Sequence, residues 1–416
     1  MAYRNWIFLF ISMICSEFVF GQSNSYSPIA LQDSNRFFIR VNGEGFSNSN
    51  AITNAFLFGF VNGRFVSDDE KQLMLDRSRS TILTGMDASY GVRFGWKSKK
   101  SNGIQFEAGV AEKYHIDATL TQDAMELALY GNRPFAGEEA NLDDMRLRYT
   151  RWQDIHIGFA NMSKSRWNYG VNIHGIIGNQ NLDLSTDYAR LYTAENGAQL
   201  QLNGSIRGDQ SDTARTAPYQ MNGWGMGVSG FVQLNLKVNE KVEEGWLRLE
   251  LNDFGFVRWT DKSARYAVDT IYYYEGTYIE DIFTAESDLN PLTPDSIFNQ
   301  LTESSFNGKY ATYLPASVQL SLFQSFEKYD VWAGANYRIN ASYSPYFFTR
   351  VRYKWEHFRL GGLVGIGGYG TFNLGLDATY LADKWQVELG TRNLEGLALW
   401  QHFGGTSGYV GITRFF

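Results

Sequence analysis

Tyr346-Phe-Phe-Thr-Arg-Val-Arg-Tyr-Lys-Trp355 is the stretch that decides the fold. Phe347, Thr349, Val351, Tyr353 and Trp355 alternate in it with Tyr346, Phe348, Arg350, Arg352 and Lys354. Side chains on a β-strand point to opposite faces with period two, so this segment has one apolar face and one strongly cationic face. The pattern repeats on both sides. Val331, Ala333, Ala335, Tyr337 and Ile339 alternate with Trp332, Gly334, Asn336 and Arg338. Phe372, Leu374, Leu376, Ala378 and Tyr380 alternate with Asn373, Gly375, Asp377 and Thr379. Trp385, Val387 and Leu389 alternate with Gln386, Glu388 and Gly390, and the chain ends on a further strand, Gly408-Tyr-Val-Gly-Ile-Thr-Arg-Phe-Phe416. Strands of this kind, split by tight turns, are what a closed transmembrane barrel needs.

Upstream the same reading holds. Val228, Val232 and Leu234 share one phase, and Leu247, Leu249 and Leu251 share another with Arg248, Glu250 and Asn252 between them. The phase then slips, because Phe254 and Phe256 carry the next apolar positions; an extra residue at Asn252-Asp253 predicts a β-bulge. Ile82–Lys97 and Ile104–Asp117 predict a hairpin turning at Lys99-Lys-Ser-Asn-Gly103, and Met145–Ala160 pairs with Trp167–Asp183. Ser67 with Glu70 three residues later is a capping-box pattern that opens a helix to about Ser80. A second short helix is predicted near Thr121–Leu129. Ala51–Phe65 reads as a strand or an inward-folded segment able to plug a lumen. Residues 196–218 and 286–307 read as long external loops, and 266–284 as a strand running into a loop. The whole predicts one all-β domain: a single transmembrane antiparallel β-barrel of about fourteen strands (14–16), with short helices in the loops or lumen.

Composition agrees. Aromatic residues are 16% of the 416, mostly Phe and Tyr, which suits girdles at two membrane interfaces. Mean hydropathy is −0.31, which excludes a helical membrane protein but not a barrel with a polar lumen. A net charge of −7 with no basic block argues against nucleic-acid binding. Arg4, the apolar run Ile7–Cys15, and Val19 and Gly21 before Gln22 predict an export signal over residues 1–21, too short to span a bilayer. The barrel domain is then 22–416. The single cysteine, Cys15, lies in that signal, so the exported chain has no disulfide or thiol chemistry. A soluble all-β protein or a solenoid would share the alternation; the export signal, the aromatic content and the aromatic terminal residue favour the outer membrane.

Several blocks resemble an uncharacterised outer-membrane barrel family of the Bacteroidota that is often compared with long-chain fatty-acid transporters. Leu251-Asn-Asp-Phe-Gly-Phe-Val-Arg-Trp259 is similar to that family's Asp-Leu-Gly-Phe-Ile-Arg-Trp signature, with Phe254 in place of Leu. Trp152-Gln-Asp-Ile-His-Ile-Gly-Phe159, Asn168-Tyr-Gly-Val-Asn172 and Asp187–Thr193 resemble a second block. Tyr313-Leu-Pro-Ala316 and Gly367-Gly-Tyr-Gly-Thr-Phe-Asn-Leu-Gly375 resemble a third. The resemblance implies the barrel fold and an outer-membrane location, and carries over no catalytic or ligand residue.

Local chemistry is sparse. Gly365-Ile-Gly-Gly-Tyr-Gly370 spells G-x-G-x-x-G, but strand-like residues follow where a dinucleotide fold needs a helix. His115, His156, His174, His357 and His402 include no pair at metal-ligand spacing. Asp143-Asp144, and Asp281 with Glu286, lack the spaced oxygens of a calcium loop. No nucleophile motif marks an enzyme, and no cofactor is expected. If the apolar sets face lipid, the candidate lumen lining is Arg248, Glu250, Arg338 and Arg350, with Arg352, Lys354, Asp377 and Glu388. These form either a cross-strand ladder that braces the interior or, at Arg350, Arg352 and Lys354, a cationic strip that selects anions. Phe416 is the candidate barrel-assembly signal. Expected partners are outer-membrane lipid, the assembly machinery and a hydrophobic or amphipathic ligand. The functions in play are a channel or transporter for such molecules, or a non-transporting barrel that scaffolds a surface or secretion complex.

Overall fold

The computed structural model describes residues 36–63, 66–78, 81–98, 103–163, 166–197, 199–215, 217, 220–237, 239–275 and 305–416. The export signal, the lead-in to residue 35 and most of the loop expected over 286–307 lie outside the described residues.

Fourteen antiparallel strands close into a ring. In chain order the strands are β1 (Phe37–Ser49), β2 (Thr81–Lys97), β3 (Ile104–Thr121), β4 (Glu139–Asn141), β5 (Arg146–Asn161), β6 (Trp167–Thr193), β7 (Gln199–Gln210), β8 (Gly223–Asn235), β9 (Glu244–Trp259), β10 (Ala264–Glu275), β11 (Ser305–Asn307), β12 (Ala311–Tyr313), β13 (Ala316–Ser325), β14 (Tyr329–Ile339), β15 (Ser344–Trp355), β16 (Phe358–Gly368), β17 (Phe372–Leu381), β18 (Trp385–Thr391) and β19 (Thr406–Phe415). The ring omits β4, β7, β10, β11 and β12, and the last strand closes on the first through Phe38↔Phe415 to Ser47↔Thr406. Closure leaves no unpaired sheet edge, the condition for β-structure inside a bilayer.

The alternation read from sequence is the alternation of the wall. Phe347, Val351, Tyr353 and Trp355 are exposed on the outer face, as are Leu249, Leu320, Val364, Leu376 and Leu389. Trp96, Phe106, Trp167, Trp355 and Trp385 mark one end of the belt, beside the short connections β2–β3, β5–β6, β15–β16 and β17–β18, the start of β1 and the end of β19. Long connections crowd the other end.

Three of the expected irregularities are present. Ser67 caps helix α2 (Asp68–Arg77) in a full capping box with Glu70; it follows α1 (Asn54–Val61), and α3 (Gln122–Tyr130) opens on Thr121. On β9 the phase slip is a bulge: the register steps from Val228↔Phe254 to Gly230↔Leu251, and Asp253 has φ 57°. Asp253 donates its backbone N–H to Ser229 Oγ at 2.9 Å, which satisfies the group the bulge frees.

Two expectations are corrected. Residues 196–218 are not an irregular loop, because Gln199–Gln210 is a strand. It pairs with the upper half of β6 on one edge and β10 on the other. Its sequence, QLQLNGSIRGDQ, alternates Leu200, Leu202 and Ile206 with Gln199, Gln201, Asn203 and Ser205, but Gly204 and Gly208 interrupt the apolar set and keep it short. Ala51–Phe65 is not a strand: its described part holds α1 (Asn54–Val61), tied to the rim. Asn54 Nδ2 donates to Gly396 O and Gly405 O at 2.7 and 2.8 Å, beside α4 (Leu394–Ala398). Ile82 and Leu120, on the outer face of β2–β3, pack with Ala51, Met74, Met125 and Leu129, so the helices brace the rim from outside.

Candidate functional site: the charged lumen

Polar residues that alternate with the lipid-facing set converge inside the ring, and the lumen is layered. Nearest the turns, charged side chains pair along and across strands. Arg248 Nη1 meets Glu250 Oε1 at 3.2 Å, and the two residues are only 7% and 3% exposed, so little water reaches this wall. Arg248 also lies over the Trp246 ring at 4.1 Å, beside a stack of Trp246, Phe323 and Trp332. Arg350 and Arg352 share Asp377 at 2.7 and 3.1 Å, and both lie over the Trp332 ring. Lys354 contacts Asp330 at 3.2 Å and Ser325 Oγ at 2.6 Å. Glu388 accepts from Arg40 Nη2 at 2.7 Å. Each of Arg350, Arg352 and Lys354 therefore has a carboxylate partner in this structure, and none presents a bare cation.

Arg338 has a different reach. Its Nη1 donates to Asp87 Oδ2 at 2.6 Å. Around the ring, β14 and β2 are seven steps apart in either direction, through β15–β19 and β1 or through β13, β9, β8, β6, β5 and β3. A round fourteen-strand barrel is roughly 28 Å across from strand spacing and tilt, far more than the two side chains span. The β14 wall therefore leans inward. The connection 340–343 goes with it: Arg148 donates to Asn340 O at 2.8 Å and Ser342 Oγ at 3.0 Å, and Asp117 accepts from the Ser342 backbone. Asp117 also takes a bidentate bond from Arg148 at 2.7 and 2.6 Å.

Above this bridge sits an aromatic layer of Phe46, Tyr343, Tyr346 and Tyr369. Glycines make room for it. A Cβ on Gly85 would lie 2.2 Å from the Tyr369 ring, and one on Gly365 2.2 Å from the Tyr346 hydroxyl. The glycine-rich Gly365–Gly370 is thus the end of β16 and a turn, with Gly367 and Gly368 at φ 96° and 77°; strand β17 follows, not a helix.

Between the layers lies a small open chamber of about 90 Å³. Asp87 and Arg338 wall one side, Lys113 and Asp253 another, and Trp152 and Pro315 supply apolar surface. Lys113 Nζ holds Asp253 at 2.6 Å and Asp154 at 3.2 Å. The family-like segment Leu251–Trp259 explains part of this: its bulge aims Asp253 at Lys113, while Trp259 donates to Thr312 Oγ1 at 2.9 Å and stacks on Tyr310.

Sequence reading missed Asp87, Lys113, Arg40 and the pairing of His156 with His174. These two histidines are eighteen positions apart but directly opposed in the β5–β6 register. The available signal was Asp154-Ile-His156, an acid and a histidine on one strand face. Phe416 caps the seam: its carbonyl accepts from the Arg36 and Phe37 N–H groups at 2.9 and 3.3 Å, and its ring meets Phe37 at 5.5 Å. Of the weak calcium candidates, Asp143 pairs with Arg190 at 2.5 Å, and Asp281 and Glu286 lie outside the described residues.

The chain belongs to a family of unknown function, DUF5723, which matches residues 30–391. No curated protein matches it. Among solved structures it is similar to the toluene transporter TbuX of Ralstonia pickettii, at 9% identity and TM-score 0.43, with 92% of this chain and 90% of that one covered. It is similar to the toluene transporter TodX of P. putida, at 10% identity and TM-score 0.41, covering 93% and 91%. It is also similar to a Pseudomonas aeruginosa FadL homologue, at 9% identity and TM-score 0.42, covering 92% and 91%. Similarity this distant assigns no ligand to the chain.

Proposed function

We propose that this member of the family is an outer-membrane barrel that admits a small amphipathic molecule to the central chamber and passes it on. The turn end faces the periplasm, as short turns do in bacterial barrels, and the helical rim faces outward. The observation that carries the reading is the chamber itself. It joins apolar surface from Trp152 and Pro315 to charges on Lys113, Asp253, Asp87 and Arg338, between an aromatic layer and a charged one. Such a lining suits a ligand with an oily body and a polar head. Passage requires the ion pairs across the lumen to part, so the structure corresponds to the closed state in this reading.

The test is uptake of a labelled medium-chain carboxylic acid by proteoliposomes, with native mass spectrometry of the detergent-extracted protein. Saturable uptake that falls in Lys113→Gln supports the reading. Uptake equal to that of protein-free vesicles, with no co-purifying molecule, removes it.

One observation favours a second reading, a scaffold for a surface or secretion complex. The upper half of β6, with β7 and β10, forms a ribbon past the ring. Cross-linking in the native membrane that joins this ribbon to another protein would favour it; recovery of the barrel alone would not.

A further inference from the structure

His156 on β5 and His174 on β6 face each other across the sheet, with ring centroids 5.4 Å apart. Asp154, two residues before His156 on the same inward face, accepts from both. His156 Nδ1 donates to Oδ1 at 3.0 Å and His174 Nδ1 to Oδ2 at 2.7 Å. One coordinating atom from each of the three lies within 4.8 Å of the others, and all three residues are buried.

The arrangement leaves something undone. Both Nε2 atoms are buried with no hydrogen-bond partner among the described residues, Glu107 Oε1 standing 3.7 Å from that of His156. Buried polar atoms without partners are uncommon and mark the cluster as incomplete. We propose that Asp154, His156 and His174 bind a divalent transition-metal ion of the Zn²⁺ class, through the two Nδ1 atoms and an Asp154 oxygen. In that state each neutral imidazole carries its single proton on Nε2. Glu107 Oε1 lies 3.7 Å from His156 Nε2 and would accept it after closing by a few tenths of an ångström. Carboxylates that orient metal-bound histidines in this way are a general feature of such sites. Two nitrogens and one carboxylate oxygen select borderline ions such as Zn²⁺, Ni²⁺ or Cu²⁺ over Ca²⁺ and Mg²⁺, which favour oxygen ligands.

Lys113 sets the terms of entry. It holds Asp154 Oδ2 at 3.2 Å in the metal-free structure, but it also holds Asp253 at 2.6 Å and borders the chamber. An arriving cation displaces the ammonium from Asp154, and Lys113 keeps Asp253. The lysine is thus the counter-charge of the empty site and stands between it and the chamber.

The experiment uses the whole barrel, purified in detergent, stripped with a chelator and titrated with Zn²⁺ alone by calorimetry. One equivalent is expected, with affinity at least 100-fold weaker in His156→Ala and His174→Ala and unchanged in the His357→Ala/His402→Ala double variant. Lys113→Met is expected to bind about tenfold more tightly, because the competing ammonium is gone. Should the histidine variants fail to fold, judged by heat-modifiable mobility, the visible spectrum of Co²⁺-loaded wild type decides. Ligand-field bands of a four-coordinate nitrogen–oxygen site, erased by Zn²⁺, support the assignment. No bands, no Zn²⁺ equivalent, or equal Zn²⁺ binding in folded His156→Ala overturns it.

Discussion

Asp87 and Arg338 stand on opposite walls of the ring and are joined by a 2.6 Å hydrogen bond across the lumen. Arg338 is buried, at 7% exposure, and Asp87 is half-buried, and each has further company: His115 donates to Asp87 at 2.8 Å, and Arg338 lies over the Tyr343 ring at 5.1 Å. A tie of this span holds the β14 wall inward and narrows the path past the chamber. Removing one partner leaves an uncompensated buried charge.

Asp87→Asn is therefore expected to lower stability by about 3–5 kcal/mol and to raise conductance. The Asp87→Asn/Arg338→Gln pair is expected to recover part of the stability and keep the raised conductance. Urea unfolding in vesicles and planar-bilayer recording check this. Wild-type conductance in both folded variants would show that the bridge does not limit passage.

On the opposite face of the wall, Arg151 Nε donates to Glu112 Oε1 at 2.6 Å. Register puts Glu112 on the lipid side with Phe106 and Val110, and Arg151 with Ile155 and Ile157. Tyr114 donates to Glu112 at 2.8 Å and lies under the Arg151 guanidinium. Charges on a lipid face are costly unless paired. Arg151→Leu alone is expected to cost about 3 kcal/mol, whereas Arg151→Leu/Glu112→Leu returns to within about 1 kcal/mol of wild type. A double-mutant cycle on vesicle unfolding measures the coupling; additive losses would contradict it.

The aromatic layer depends on bare backbone. Gly85→Val is expected to cost at least 1–3 kcal/mol, because its Cβ would sit 2.2 Å from the Tyr369 ring. Adding Tyr369→Ala relieves the clash, so the double variant should unfold at higher urea than Gly85→Val alone. No rescue would mean that the cost arises in the strand and not at the ring.

Phe416 ends the last strand with its ring against Phe37 and the Arg414 guanidinium. We expect Phe416→Ala to reduce the amount of folded barrel in cells severalfold while changing purified-protein stability by only about 1 kcal/mol. Heat-modifiable band intensity in membranes, set against urea midpoints, separates assembly from stability. Equal loss in both assays would make Phe416 a packing residue only.

Period-two alternation showed which face of most strands is apolar, since inversion would move a whole apolar set to the wrong side at once, although the Arg151–Glu112 pair breaks it. Tyr346–Trp355 thus carried the wall, and the slip at Asn252-Asp253 even carried the bulge. Ser67 and Glu70 carried a helix cap because that bond is local. The ribbon at Gln199–Gln210 was hard to read because its apolar set is only Leu200, Leu202 and Ile206, thinned by Gly204 and Gly208 and flanked by polar stretches.

Sequence alone therefore determined a membrane-spanning barrel with charged residues turned inward, because facing and local hydrogen bonding depend only on near neighbours. Tertiary structure alone decided which charges meet. The Asp87–Arg338 tie, the Lys113–Asp253 contact and the His156–His174 pair join residues distant in the chain. They depend on ring closure and strand register, which no single segment encodes, and on one inserted residue whose partner only the closed ring supplies.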